Sequence, residues 1–199
     1  MGNVITVTRE FGSMGRLIAR QVAERLNFKY YDRDIIELTA KEFRYNVEEL
    51  AAFDGQRISA FAKMMYPLGL GNAAMQNQVF EMERSVIIDL ANSEDCVIVG
   101  RCSDYILREI NHKSMLNVFI YAPYEKRIQA CGEELHLKEY DAKKYLEGVD
   151  RARHNLYKNQ AGVNFHSTKY RHLMLDSSIM SHEECAKYIA ELARAKFHI

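Results

Sequence analysis

A chain of 199 residues, nearly half of them hydrophobic, is long enough for one sizeable core and too apolar for a disordered chain. A formal net charge of zero argues against nucleic acid as a bulk electrostatic partner. Cys96, Cys102, Cys131 and Cys185 form no C-x-x-C pair, a usage that fits a reducing cytoplasm and gives no metal pattern. No apolar run is long enough to span a bilayer and no charged-then-apolar leader opens the sequence, so a cytoplasmic protein with no membrane partner is expected.

Asn3 to Thr8 is β-branched and compact, the pattern of a buried strand. Leu17 to Leu26 sets Ile18, Ala19, Val22, Ala23 and Leu26 on one helical face and Arg16, Arg20, Glu24 and Asn27 on the other. Between them runs Thr8-Arg9-Glu10-Phe11-Gly12-Ser13-Met14-Gly15-Arg16. A strand, a glycine-bearing turn and a helix in that order bring backbone N–H groups and the positive helix end to one point. Arg16 adds a full charge there, and the natural guest is a phosphate.

Against the P-loop pattern G-x-x-x-x-G-K-[ST], Glu10 replaces the first glycine, Arg16 the lysine and Leu17 the hydroxyl residue that would hold Mg²⁺. Ser13 and Thr8 are nearby hydroxyls. An ordinary βα turn whose glycines serve only packing is the competing reading.

Phe28 to Tyr31 reads as a second strand, ending in Asp32-Arg33-Asp34; Ile35, Ile36 and Leu38 then open a helix, and Asn46 can cap another. Residues 61–75 are apolar, Met-rich and broken by Pro67, Gly69 and Gly71. They read either as a helix-loop packed on the core or as a homodimer surface or ligand flap. Gln76 to Ala91 is a long helix, and Cys96 to Gly100 a continuously apolar strand, as in a parallel sheet covered on both faces. Ser103 is positioned to cap a helix over 104–110. Met115 to Tyr121 is a fourth strand, and Pro123 suits the first turn of a helix reaching about Leu135.

Lys138 to Gln160 is a charged helix with an apolar stripe of Ala142, Tyr145, Leu146, Val149 and Leu156. At 100° per residue Arg153 falls inside that stripe and Arg151 points away. An inward guanidinium needs an anion. That anion is either an internal carboxylate such as Asp150 or a ligand phosphate. His172 to Asp176 is a fifth strand. Ser181 and Glu184 form a capping box for a last helix with Cys185, Ile189, Leu192 and Ala193 inward. Five short apolar strands alternating with helices predict a three-layer α/β/α fold on a five-stranded parallel sheet. Ligands of such sheets bind beyond the carboxyl ends of the strands, where Arg9, Arg16, Asp32, Arg33, Arg101, Asp104 and Asp176 fall. Several arginines on one rim of a neutral protein suggest a polyanionic substrate.

The runs TREFGSMGRLIA, FKYYDRDII, VIVGRCSDYIL, VFIYAPYEKRI and VDRARHNLY resemble the bacterial cytidylate kinase-like family of P-loop nucleoside monophosphate kinases, in order along nearly the whole chain. The resemblance implies one kinase-like domain over 1–199, with an acceptor-binding helical insert at about 46–75 and an arginine-bearing lid at about 127–160. It assigns Gly12, Ser13, Met14, Gly15, Arg16 and Leu17 to the ATP phosphates. Asp32, Arg33, Arg101 and Asp104 go to the acceptor nucleotide, and Arg16, Arg151 and Arg153 to the transferring phosphoryl group. Asp176 lies near the start of the adenine-side loop.

ATP with Mg²⁺ and CMP or dCMP are the implied ligands. Met14 and Val99 depart from the family pattern, which has glycine and, in cytidylate kinases proper, aspartate there. Asp32, Asp34 and Asp104 are candidate substitutes for the missing Mg²⁺ ligands. A nucleotide- or phosphate-binding regulator without turnover, and a P-loop kinase with another small acceptor, are the alternatives.

Overall fold

The computed structural model describes residues 1–32, residue 35 and residues 73–199, with side chains from 77 onward in the last stretch. The helices expected after Ile35 and Asn46, Arg33 and Asp34, and nearly all of the 46–75 insert with its apolar 61–75 segment lie outside the described residues.

Among the described residues five strands and six α-helices follow one another: β1 (Val4–Arg9), α1 (Gly15–Leu26), β2 (Lys29–Tyr31), α2 (Ala73–Ser93), β3 (Cys96–Val99), α3 (Ser103–Glu109), β4 (Met115–Tyr121), α4 (Tyr124–Leu135), α5 (Glu139–Ala161), β5 (Leu173–Asp176) and α6 (His182–Phe197). The strands form one sheet in the order β2-β3-β1-β4-β5, with every neighbouring pair parallel. This is the expected α/β/α fold. No described helix is long and apolar enough to cross a membrane.

Alternation along the strands builds two cores. On one face Ile5, Val7, Val97, Val99, Val118 and Ile120 meet Ile18 and Val22 of α1 and Ile189 and Ala193 of α6. On the other, Val4, Ile98 and Phe119 meet Phe80, Val86 and Ile87 of α2, Ile106 and Leu107 of α3, and Tyr157 and Ala161 of α5. A third, smaller core joins α4 to the first half of α5 through Ile128, Cys131, Ala142, Leu146 and Val149, and it also takes in Phe11.

The register sets up the site. β1 pairs with β4 all the way to Arg9 opposite Ile120, but with β3 only to Val7 opposite Val99. Its last two residues therefore project beyond the end of β3.

Three local expectations are corrected. Ser103 lies inside α3, not at its cap: Arg101 and Cys102 turn through the left-handed region (φ 59° and 53°), and the buried Ser103 hydroxyl has no partner among the described residues. Helix α1 begins at Gly15, behind a left-handed Met14, so Leu17 is already in its first turn. Leu192 is 38% exposed, and the inward face of α6 is completed by Ala186 and Ala190 instead.

Candidate phosphate site

The turn after β1 is held open from both ends. The Glu10 N–H donates to the Ile120 carbonyl at 3.1 Å, and the Phe11 N–H to Asp150 Oδ1 at 2.9 Å. Among the described residues the next five N–H groups, from Gly12 to Arg16, meet no acceptor, as expected of a helix start. Gly12 has φ +75°, and a Cβ there would lie 2.5 Å from the Arg127 carbonyl oxygen, so only glycine fits without a shift. The Ser13 hydroxyl turns inward, 2.9 Å from the Glu10 carbonyl, and the Ser13 carbonyl accepts from Ser177 Oγ at 2.8 Å. Ser13 can thus offer a ligand only its backbone amide. Above the turn a cavity of about 110 Å³ is lined by the turn residues from Glu10 to Leu17 other than Ser13, with Arg9 and Arg153 as further cations and Glu134 as a second carboxylate beside Glu10.

Glu10, which takes the place of the first P-loop glycine, has a structural task. Its carboxylate accepts from the Ala122 N–H at 3.3 Å, meets Arg127 Nε at 3.2 Å and lies 2.8 Å from His166 Nε2. Arg127 also pairs with Asp150. Strand end, turn, α4 and α5 are therefore tied by one part-buried network.

Four arginines converge beside the turn. Arg153, buried as its helical position predicts, donates to the Arg9 carbonyl at 3.1 Å and stacks over Phe11. Among the described residues it hydrogen-bonds no carboxylate; Asp150 is bonded to Arg127 and Phe11 and acts on Arg153 only through space. Arg16 Nε lies 2.7 Å from one Asp32 oxygen, and Arg9 Nη2 lies 3.5 Å from the other. Arg101 donates to buried Glu83 at 2.7 Å.

Burial lowers Arg9 to about 10; Asp32 opposes the drop, while Arg16 and Arg101 add to it. Arg153 is pushed well down by burial first and by Arg9 second. Asp150 and Asp32 oppose that drop, but among the described residues only Asp32 and Glu83 touch the four guanidinium groups, an excess of positive charge that favours a bound anion. A smaller recess of about 30 Å³ adjoins, lined by Thr8, Arg9, Gly100, Arg101, Arg153 and Tyr157 among others.

A family model described as the cytidylate kinase-like family matches residues 4–179. The chain belongs to the cytidylate kinase-like family. No curated protein matches it. Among solved structures, an uncharacterized protein from Eubacterium ventriosum shares 19% identity over 96% of this chain and 98% of its own, with a TM-score of 0.73. Shikimate kinase from Acinetobacter baumannii, in complex with shikimate, shares 14% over 98% and 94%, with a TM-score of 0.55. YorR from Bacillus subtilis, in complex with phosphorylated GDP, shares 14% over 98% of both chains, with a TM-score of 0.52. At these identities the likeness shows the fold, that of P-loop kinases.

In this cytidylate kinase-like chain the structure brings Gly12, Met14, Gly15, Arg16, Leu17, Asp32, Arg101 and Arg153 to the arginine-lined end of the sheet. Asp32 meets the cations of the turn rather than standing apart on an acceptor side. Two expected residues are not brought there. Arg151 is exposed on α5. Asp104 is fully buried at the start of α3, where it pairs with Arg171 and accepts from the Tyr157 hydroxyl at 2.9 Å. So engaged, it lines neither recess. Arg9, Glu10 and Arg127 were given no site role from the sequence, and Asp150, offered there as a partner for Arg153, bonds Phe11 and Arg127 instead. Glu10 carried a signal, as a charged residue where the pattern has glycine; Arg9 carried only its position on the rim.

ATP fits the turn: unpartnered amides, a helix start and guanidinium groups face one cavity. A protein-held Mg²⁺ does not fit the described residues. Leu17 brings no hydroxyl, Val99 is buried and apolar, and Asp32 is engaged by two arginines. Among the described residues no group of three His, Cys, Asp or Glu could hold a metal.

Proposed function

We propose that this protein transfers the terminal phosphoryl group of ATP to a nucleoside monophosphate, with CMP or dCMP as acceptor. The observation that carries the reading is the pair of adjoining recesses. The larger is floored by the open turn, the smaller is reached by Arg101, and Arg9 and Arg153 stand where they meet. Phosphoryl transfer needs placement and charge neutralisation more than covalent chemistry. Here Gly12 to Arg16 hold the donor phosphates, Arg101 the acceptor phosphate and Arg153 the group in transit. The α4–α5 hairpin acts as the lid, and the 46–75 insert as the acceptor-side cover. A reducing, cytoplasmic setting agrees with four free, buried thiols.

A panel of nucleoside monophosphates in a coupled ADP-release assay with ATP tests the reading. Turnover with CMP or dCMP above the other acceptors is expected, and none with any nucleotide refutes it. Leu17 and the engaged Asp32 favour a second reading, a nucleotide-binding regulator without turnover. It predicts ATP-induced thermal stabilisation with no ADP release. Including shikimate and gluconate in the panel separates both from a kinase of another small acceptor.

A further inference from the structure

Arg9 belongs to no part of the phosphate-loop pattern, yet the fold makes room for it at the centre of the site. It closes β1 where that strand outruns β3, so its side chain lies over the turn that follows β3. Two glycines far apart in sequence clear its path. A Cβ at Gly15 would lie 2.7 Å from Arg9 Cβ, and one at Gly100 would lie 2.2 Å from Arg9 Nη1.

The space is kept for a poorly compensated cation. Among the described residues Arg9 Nε is buried without an acceptor, and its one carboxylate contact, to Asp32, is long at 3.5 Å. Asp32 is its main electrostatic counterweight, while Arg16, Arg101 and Arg153 share its sign. Among the described residues the four guanidinium groups are in direct contact with only two carboxylates, Asp32 and Glu83. A buried charge so placed is costly unless an anion joins it. Of the described residues lining the two recesses, only Arg9 and Arg153 line both. Arg153, 7% exposed and with an unpartnered Nε of its own, is fastened to the Arg9 backbone.

We propose that Arg9 is a phosphate-binding residue shared by the two substrates. Its planar fork contacts the terminal phosphate of the donor in the larger cavity and the phosphate of the acceptor in the smaller recess. The inference rests on the kinase reading above. In the transfer an oxygen of the acceptor phosphate bonds to the terminal phosphorus of ATP as the bond from that phosphorus to the bridging oxygen of departing ADP breaks. Arg9 stays protonated and unchanged throughout.

Calorimetric titration of the full chain with ATP, and separately with CMP, tests this in Arg9→Met and Arg9→Lys, with circular dichroism melts as the check on folding. Arg9→Met is expected to weaken both ligands by about tenfold or more, as for loss of a charge-assisted contact to each. Arg9→Lys keeps the charge and the stem but loses the fork, and is expected to weaken both together by about threefold or more. A folded variant that loses only one affinity, or neither, overturns the proposal. So does a failure of both variants to fold, which assigns Arg9 to structure alone. A wild-type chain that does not bind both nucleotides refutes the kinase reading itself, an outcome distinct from a wild type that binds both and an Arg9→Lys that matches it.

Discussion

Replacing Asp150 with alanine removes a carboxylate that serves two buried partners at once. Its Oδ1 takes the Phe11 N–H at 2.9 Å, and its Oδ2 pairs with Arg127, whose side chain is only 9% exposed. Phe11 is buried, so its amide is left without an acceptor, a loss of about 1.5–3 kcal/mol for a bond to a charged group. Arg127 keeps Glu10 at 3.2 Å and the Phe11 carbonyl at 3.3 Å. Its share therefore falls below the roughly 3–5 kcal/mol of a stripped buried ion pair, to about 1 kcal/mol.

The expected total is about 3 kcal/mol, or a fall in Tm of about 6–12 °C for a chain of this size. Asp150→Asn keeps an oxygen for Phe11 but turns an NH2 toward Arg127, losing the charge and that second acceptor, so its cost is about 1 kcal/mol. Urea titrations and calorimetric melts of both variants provide the measurement. Equal losses for the two, or a loss below about 1 kcal/mol for alanine, would show that the Phe11–Asp150 contact does not hold the turn.

Gly12→Ala places a Cβ at φ +75° and 2.5 Å from the Arg127 carbonyl oxygen. The backbone term alone is about 1–2 kcal/mol, and the turn must shift. ATP affinity is expected to fall with stability, and wild-type affinity in a nucleotide titration would argue against the amide cradle. Arg153→Met should cut kcat by about a hundredfold or more, whereas the exposed Arg151→Met should stay within about threefold of wild type. Equal effects in steady-state assays would refute that distinction.

The pH dependence of stability also follows from one contact. The Asn117 N–H donates to His172 Nδ1 at 2.9 Å, so that nitrogen carries no proton. Burial, with Lys196 and Arg108 nearby, lowers the His172 pKa from 6.5. The unfolded chain then takes up the proton first as pH falls. Stability from this group is complete above about 6.5 and is lost as pH drops below that value toward the folded pKa. His154 shifts in the same direction, through burial and His166. Tm should fall between about pH 7.5 and pH 5.5, and His172→Gln should flatten the slope. An unchanged slope in that variant contradicts the assignment.

The layers of the fold were legible because their signals are local. Cys96–Val99 and Met115–Tyr121 are apolar on both faces because helices cover both sides of the sheet. Ser181 and Glu184 form the capping box that the spacing of their side chains allows. Helical phase alone put Arg153 inward and Arg151 outward.

Phase says which way a side chain points, not what it meets. Asp104 looked like a rim carboxylate, but its partner Arg171 comes from the segment after α5, beyond any local pattern. Glu10 looked like a flaw in a phosphate loop until Arg127, His166 and the Ala122 amide gathered around it. Ser103 had the residue type of a cap, but the left-handed pair before it brought the chain into the helix at a different residue.

The 23-residue helix α5, about 34 Å long, rests on two separate supports. Its first half belongs to the small core with α4 and Phe11, its second to the main core through Tyr157 and Ala161. Arg153 sits at the crossover, like a load near the middle of a beam. A pull on that guanidinium bears on the Asp150 joint toward one end and on the Tyr157–Asp104 joint toward the other. One continuous helix therefore fixes Arg153 between the turn after β1 and the buried Asp104–Arg171 pair.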